Sequence, residues 1–197
     1  MTTLILVRHG ETVWHRENRY TGRSDIELTP EGHQQAKRLA DWTAGNRPDA
    51  LVCSPMRRAR DTTAPVAGAL GMTPRIEPEL REIDFGSAEG RTLAEIDSEV
   101  LAAFHRDPAE NFFPGGENPA FAVARCIAVL SGLATEFTGG TVMVIAHSTL
   151  FRMALCELLG LPIGRYRAVF PALHNCALNT VRLDEHGAAL LSLNVRV

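Results

Sequence analysis

The sequence lacks most of the features by which a special class of protein is recognised from composition alone. It has only 4 cysteines in 197 residues, and no two are close enough for a Cys-x-x-Cys metal or redox pair. It has no excess of basic charge, since 20 Lys plus Arg stand against 23 Asp plus Glu, for a formal charge of −3. That balance argues against non-specific nucleic-acid binding. No apolar run approaches the roughly 18 residues that span a bilayer, so we expect no membrane partner.

The cellular setting follows from what surrounds these few cysteines. Cys53, Cys126 and Cys156 sit in apolar segments, and we expect all four cysteines to be buried, reduced thiols of a cytoplasmic protein. The N-terminal run TLILV is too short for a signal peptide and is followed at once by RHGE. The length fits one domain over residues 1–197.

Short apolar runs alternate with helical patterns along the chain. Residues 3–7, 50–53 and 141–146 predict buried strands, and helices are predicted after Thr29, after Ser54, over 120–137 and after His147. On the helix over 120–137, we expect one buried face. Its predicted members are Ala120, Val123, Ala124, Ile127, Leu130, Ala134 and Phe137.

The order of these elements predicts an α/β fold with three layers (α/β/α) and a mainly parallel central sheet. Residues 177–183 and 189–195 alternate as in a hairpin at one edge of that sheet. From about 87 to 119 the pattern weakens, and we interpret this segment as a small, partly helical cap insertion.

Charged and imidazole side chains follow the predicted strands where the strands end. The carboxyl ends of parallel strands form the usual ligand-binding edge. His9 comes directly after the first strand beside Arg8, and His147 comes directly after the third. Ser148 and Thr149 then open a helix, whose free N–H groups would make an anion cradle.

The segment SPMRRARDT places several arginines at a helix start, where an anion would relieve their unfavourable interaction with the helix dipole. Arginines with helix N-termini indicate a phosphoryl group, and a histidine at the centre can attack phosphorus to form a phosphohistidine. Glu82, under the cap, would be desolvated and suited to proton transfer. Motifs for zinc hydrolysis, nucleotide binding and serine hydrolysis are absent, so we expect no metal and no other cofactor.

Six motifs occur in order: LVRHGET, ENRYTGRSDIELTPEG, SPMRRARDT, LREIDFG, PGGE and IAHS. With this set, the chain resembles the histidine phosphatase superfamily, also called the phosphoglycerate mutase-like family, over essentially its whole length. The resemblance implies a role for each matching residue. It makes His9 the phosphorylated nucleophile, Arg8 and Arg58 phosphate ligands, Glu82 the general acid and base, His147 the second phosphate-binding histidine, and Thr21 and Gly22 substrate-loop positions.

Two positions depart from the family's usual pattern. His15 stands where an Asn usually donates to the phosphate, so the imidazole must do this or the donation is lost. Ser148 stands where Gly usually follows the second histidine, and its side chain would either crowd the phosphate or add a hydroxyl donor. We include both among the substrate-binding residues.

The resemblance therefore implies a metal-independent phosphomonoester hydrolase that acts through a phosphohistidine on a small phosphorylated metabolite. A phosphoglycerate mutase is the alternative, and a degenerate binding module is a more distant one. Mutases of this family are typically longer, which favours the phosphatase. Whether the metabolite is a sugar, a nucleotide-loop phosphate or an acid stays open. Arg23, Arg91 and His105 either bind a second anionic group or are solvated surface.

Overall fold

A six-stranded sheet forms the centre of the protein in a computed structural model that describes residues 1–197. The strands are β1 (Thr2–Arg8), β2 (Ala50–Cys53), β3 (Arg75–Ile76), β4 (Thr141–Ala146), β5 (Leu178–Asp184) and β6 (Gly187–Val195). Their order is β3-β2-β4-β1-β5-β6. The first four strands in this order are mutually parallel. β5 runs antiparallel to β1, and β6 runs antiparallel to β5. The predicted sheet, with its hairpin at one edge, is confirmed.

Helices connect the parallel strands. They are α1 (Pro30–Thr43), α2 (Arg57–Leu70), α3 (Ser98–Arg106), α4 (Pro119–Glu136), α5 (Ser148–Leu158) and a single turn, α6 (Tyr166–Val169). The start of α1 is capped as predicted, because Thr29 Oγ1 accepts the N–H of Gly32 at 3.0 Å and Pro30 has no N–H to satisfy. Gly71, in the left-handed region at φ 61°, ends α2.

The sheet separates two cores, because successive side chains of a strand point to opposite faces. Leu4 and Leu6 of β1 belong to the larger core, with side chains of α4 and α5. Ile5 and Val7 belong to the smaller core, with side chains of α1 and α2. The predicted α/β/α layering is therefore confirmed. All four cysteines are buried free thiols, also as predicted.

The predicted buried face of α4 is partly wrong. Val123 and Leu130 lie in the core, but Ala120 and Ala124 are exposed and Cys126 is buried in their place. The helix is apolar on nearly every side, so spacing alone does not determine which side packs on the sheet.

The expectation that no segment has the length and composition of a membrane span is also wrong at α4. This helix has 18 residues, and their mean hydropathy is 1.3. Of these residues, 33% are buried. Its buried side chains, among them Cys126 and Leu133, lie in the larger core with Leu4 of β1. That is the packing of a core helix in a globular domain.

The carboxyl ends of β1, β2 and β4 lie side by side at one edge of the sheet. The N–H of His9 donates to the carbonyl of Ala146 at 3.0 Å, and the N–H of Ser54 donates to that of Ile145, also at 3.0 Å. The residues that follow these strands, His9, Ser54 and His147, are thereby brought to the same edge.

Candidate active site

His9 is held in one tautomer and one charge state. It is only 5% exposed, and its Nδ1 lies 2.7 Å from the carbonyl oxygen of Gly10. A carbonyl can only accept, so Nδ1 carries the proton and Nε2 carries the lone pair. Burial, with the positive charge of Arg58 as the next cause, lowers the pKa of His9 well below 6.5. The imidazole is therefore uncharged at neutral pH, and the lone pair on Nε2 is available for nucleophilic attack.

The loop that carries His9 has no room to move. The N–H of Gly10 donates to Thr62 Oγ1 at 2.9 Å. A Cβ on Gly10 would lie 2.7 Å from the carbonyl oxygen of Gly32, and a Cβ on Gly32 would lie 2.1 Å from that of Glu11. The loop and the first turn of α1 therefore pack backbone against backbone.

Arg58 lies on α2 and is fully buried against this histidine. Its Nε donates to His9 Nε2 at 3.2 Å. The rest of its guanidinium donates to backbone carbonyls, to Ser24 and Gly22 at 2.8 Å each and to Thr21 at 3.3 Å. It forms no ion pair, so it offers an unneutralised charge beside the nucleophile.

Arg8 supplies a second such charge. Its Nη1 donates to the carbonyl of Leu173 at 2.8 Å, and its Nη2 contacts His15 Nε2. Its Nε is buried without a hydrogen-bond partner. Burial lowers the pKa of Arg8 to about 10, which still leaves it charged at neutral pH.

His147 is fully buried, with its ring centroid 5.3 Å from that of His9. Its Nε2 lies 2.7 Å from Ser54 Oγ, and that oxygen already accepts the N–H of Met56 at 3.3 Å. The Ser54 hydroxyl is thus free to donate to Nε2, which leaves the ring proton on Nδ1. Nδ1 is buried and has no partner. Burial, with Arg58 next, lowers the pKa of His147 well below 6.5, so the ring is neutral.

His15 lies on a short 3-10 helix, Val13–Glu17. The N–H of Thr12 donates to His15 Nδ1 at 2.9 Å, so the ring proton resides on Nε2. Nε2 is also the atom that contacts Arg8, and two donors therefore converge on one point. Burial, with the charge of Arg8 next, lowers the pKa of His15 to about 4.

Glu82 is 5% exposed and accepts three backbone N–H groups: those of Ile83 at 3.0 Å, Thr149 at 3.1 Å and Leu150 at 2.9 Å. Burial raises the pKa of Glu82 above 4.5, although these donors and Arg58 act against the rise. The prediction of a free anion cradle at Ser148 and Thr149 is wrong for Thr149, because Glu82 occupies its N–H.

The start of α2 is satisfied by the protein itself. The N–H of Arg57 donates to Asp25 Oδ1 at 2.7 Å, and the exposed Arg57 side chain pairs with Glu27 and Asp61 at 3.5 Å each. The arginine-rich segment therefore directs only Arg58 toward His9.

A cavity of about 380 Å³ opens onto these groups. Of the nine predicted site residues, those that line it are Arg8, His9, His15, Thr21, Glu82 and Ser148. Arg58 and His147 adjoin His9 from the protein interior. Gly22 does not line the cavity: its N–H donates to Glu89 at 2.9 Å, and a Cβ there would lie 2.5 Å from the carbonyl oxygen of Ile83. Its contribution is the carbonyl that holds Arg58.

Other residues near the site were not predicted to belong to it. Ser54 contacts His147, Thr62 contacts Gly10, and Asn175 Nδ2 donates to the carbonyl of His9 at 2.8 Å. Ser54 and Thr62 lie within the SPMRRARDT segment, which is a usable signal. Asn175 is 166 residues from His9, and no local pattern connects them.

The candidates for a second anionic group do not reach the cavity. Neither Arg91 nor His105 lines it, and both are exposed. Arg23 is 62% exposed and pairs with Asp84 at 3.3 Å. Arg23, Arg91 and His105 are therefore surface residues and not ligands of a second anionic group in this cavity.

No group of three or more His, Cys, Asp or Glu side chains is arranged to hold a metal ion. The charge available to an anion at this edge of the sheet is instead that of guanidinium groups.

The fold and this edge of histidines and arginines define a class of phosphoryl-handling enzyme. The model of the histidine phosphatase superfamily (branch 1) matches residues 4–196, and the chain belongs to that family. It is a phosphomonoesterase that works through a phosphohistidine intermediate.

Three similar proteins illustrate the range of this family. Phosphoserine phosphatase 1 of Hydrogenobacter thermophilus is 29% identical over 99% of this chain and 93% of its own length. A probable phosphoglycerate mutase, GpmB, of Citrobacter koseri is 30% identical over 94% of this chain and 86% of its own length. The solved structure of a mycobacterial glucosyl-3-phosphoglycerate phosphatase with VO3 has a TM-score of 0.88 and 27% identity, covering 98% of both chains.

Proposed function

We propose that this chain hydrolyses a small phosphomonoester by in-line attack of His9 Nε2 on phosphorus. The observation that carries the proposal is the state of His9: Nδ1 is tied to the Gly10 carbonyl, and Nε2 is unprotonated beside Arg58, with the ring on the cavity wall. A nucleophile needs a free lone pair and a fixed direction, and both are present before the substrate binds.

In the first step the bond from His9 Nε2 to phosphorus forms as the ester P–O bond breaks. Glu82 gives its proton to the departing oxygen, which leaves as an alcohol. Burial of Glu82 supports this role, because a raised pKa keeps the acid form available nearer to neutral pH. Arg8 and Arg58 bind the phosphoryl oxygens and stabilise the negative charge during transfer.

The two remaining histidines act as neutral donors. The Nδ1–H of His147 has no partner in the protein and would donate to a phosphoryl oxygen. His15 Nε2 lies against the Arg8 guanidinium, and an anionic oxygen on the cavity side of the pair would accept from both. His15 would then do as an imidazole what the family's usual Asn does as an amide.

In the second step a water molecule attacks the phosphohistidine. Glu82, now a carboxylate, takes a proton from the water as the new O–P bond forms and the N–P bond breaks. Inorganic phosphate leaves, and His9 and Glu82 return to their starting states. All positive charge in this scheme comes from guanidinium groups, so we expect activity to survive dialysis against a chelator.

We further propose that residues 87–119 act as the cap over the leaving-group side. Leu93 lines the cavity, and the rings of Phe104 and Phe113 stack within this segment, with centroids 4.2 Å apart. A cap of this size supports the phosphatase over the mutase. Four free thiols support a cytoplasmic location.

The test is to trap the intermediate. The enzyme is mixed with a ³²P-labelled phosphomonoester, quenched in base and analysed for protein-bound label that is lost on acid treatment. We expect label on the wild type and none on His9→Ala, while His33→Ala, an exposed histidine on α1, labels normally. Label that persists in His9→Ala would overturn the assignment.

The alternative function is tested with 3-phosphoglycerate, by measuring free phosphate and 2-phosphoglycerate in parallel. We expect phosphate release to dominate. Efficient isomerisation with little phosphate would identify a mutase.

A further inference from the structure

The cavity holds more positive charge than the transfer of one phosphoryl group uses. Four arginines line it: Arg8, Arg19, Arg152 and Arg167. Arg19 is neutralised by Glu17 at 2.6 Å and by Glu95 at 3.1 Å. Arg8 belongs to the phosphoryl site described above. Arg152 and Arg167 remain, and neither has a carboxylate within 4 Å.

Arg152 of α5 is nearly buried, at 9% exposed. Its Nε donates to the carbonyl of Phe170 at 2.5 Å and its Nη2 to that of Pro171 at 3.1 Å. Its guanidinium carbon lies 4.7 Å from the centroid of the Tyr166 ring. These contacts engage Nε and Nη2 and fix the position of the guanidinium, but they leave its charge uncancelled. The guanidinium therefore contributes a fixed positive potential to this wall.

Arg167 of α6 is the exposed member of this pair. Its side chain is exposed, and its guanidinium carbon lies 5.6 Å from the centroid of the Phe104 ring. The positive charge of Arg167 lowers the pKa of Arg152 in addition to burial, so the two guanidinium groups interact as like charges. An anion between them and the solvent would relieve that repulsion.

We propose that the substrate carries a carboxylate on its leaving group and that Arg167 binds this carboxylate; this inference rests on the proposed function. Arg152 adds a fixed positive potential at the same wall. The side-chain hydrogen bonds of Arg167 are to the neutral phenols of Tyr20 and Tyr166, so its charge stays uncancelled. Its exposed planar fork suits the two oxygens of one carboxylate. The substrate class is then a short phosphorylated carboxylic acid. The wall has the same positive sign as an ammonium group and would repel it, and the one carboxylate lining the cavity, Glu82, is committed to the leaving oxygen.

The experiment compares two phosphate esters with the same three-carbon skeleton. In 3-phosphoglycerate the terminal carbon is a carboxylate, and in glycerol 3-phosphate it is a hydroxymethyl group. The measured quantity is the ratio of their kcat/KM values. A charge-assisted contact predicts that the wild type prefers the acid by about 10- to 100-fold. We also expect O-phosphoserine to be no better than 3-phosphoglycerate, since the arginines of the wall repel its ammonium group.

Arg167→Gln should collapse this ratio toward one, and Arg167→Lys should keep part of it. Arg165→Gln is the matched control, because Arg165 is exposed two residues away and does not line the cavity. A wild-type ratio near one, with both esters hydrolysed, would overturn this inference and leave the proposed function standing. A ratio that survives Arg167→Gln would also overturn it. Failure to hydrolyse any phosphomonoester, p-nitrophenyl phosphate included, would instead refute the proposed function.

Discussion

The Nε–H of Arg58 donates to Nε2 of His9 across 3.2 Å, so the resting nucleophile is hydrogen-bonded to one of its own phosphate ligands. The contact fixes the orientation of the His9 ring. It also disfavours protonation of Nε2, because the lone pair on that atom already accepts a hydrogen bond from a cation. When a phosphoryl group binds, the guanidinium can turn its donors to the oxygens and free Nε2 for attack. Arg58 is thus expected to prepare the nucleophile as well as to bind the anion.

Replacing Arg58 by Lys should therefore fail even though the charge is kept. An ammonium group cannot donate to His9 Nε2 and to the carbonyls of Ser24 and Gly22 in the same planar arrangement. We expect kcat for p-nitrophenyl phosphate to fall by about 10²- to 10³-fold, the usual cost of one transition-state donor. Arg57→Lys, the exposed neighbour, is the control and should stay near wild type. Equal activities in the two variants would contradict the role given to Arg58.

Glu82→Gln should slow the reaction in a way that depends on the leaving group. An alkoxide leaves poorly without a proton, and general acid catalysis typically contributes about 10²- to 10⁴-fold. We expect a loss of that size with an alkyl phosphate and a much smaller loss in phosphoenzyme formation from p-nitrophenyl phosphate, whose leaving group departs as a stable anion.

Single-turnover measurements of both substrates test this, with Glu185→Gln as an exposed control. Equal losses on the two substrates, with vanadate binding intact, would move the acid to another carboxyl group.

Ser54→Ala should impair the donor function of His147 without touching the substrate. Without the hydroxyl that donates to Nε2, the ring is no longer held with its proton on Nδ1. Leaving a buried donor or acceptor unmatched costs about 1–3 kcal/mol, equivalent to about 5- to 150-fold in kcat. Ser54→Thr keeps the hydroxyl and should recover much of the rate. If Ala and Thr at this position lose the same activity, packing rather than the hydroxyl is responsible.

The buried histidines also make stability depend on pH. The pKa values of His9 and His147 are held well below 6.5 and that of His15 at about 4. As pH falls through about 6.5, the unfolded chain takes up protons at these positions and the folded chain does not. The free energy of unfolding should therefore decrease as pH is lowered from 7.5 toward 5. The raised pKa of Glu82 acts in the opposite sense, but it is one group against three.

Urea denaturation at several pH values measures this effect. His15→Asn should make the pH dependence shallower, because two buried histidines remain, and exposed His33→Asn is the control variant. A midpoint that rises on acidification would contradict the assignment of neutral buried histidines.

Much of the site could be predicted because it follows strands. His9 and His147 come directly after β1 and β4, and parallel strands bring their carboxyl ends together whatever the details of packing. What escaped prediction depends on contacts between distant parts of the chain. Asn175 reaches His9 only because β5 runs beside β1, and Arg167 faces the cavity only because α6 folds back over it. The buried face of α4 is not predictable for a different reason, since a helix that is apolar on nearly every side has no clear hydrophobic periodicity.

The backbone contact between Gly10 and Gly32 has a consequence for how this enzyme can change over time. A side chain at either position would push the nucleophile loop away from α1, so these two positions tolerate almost no variation. The wall formed by Leu93, Arg152 and Arg167 comes from other segments and does not share that packing. Mutations can alter which phosphate ester is accepted without disturbing the transfer reaction. A lineage built on this architecture can therefore acquire new substrates by drift in the cap and in α6, while its catalytic step is inherited unchanged.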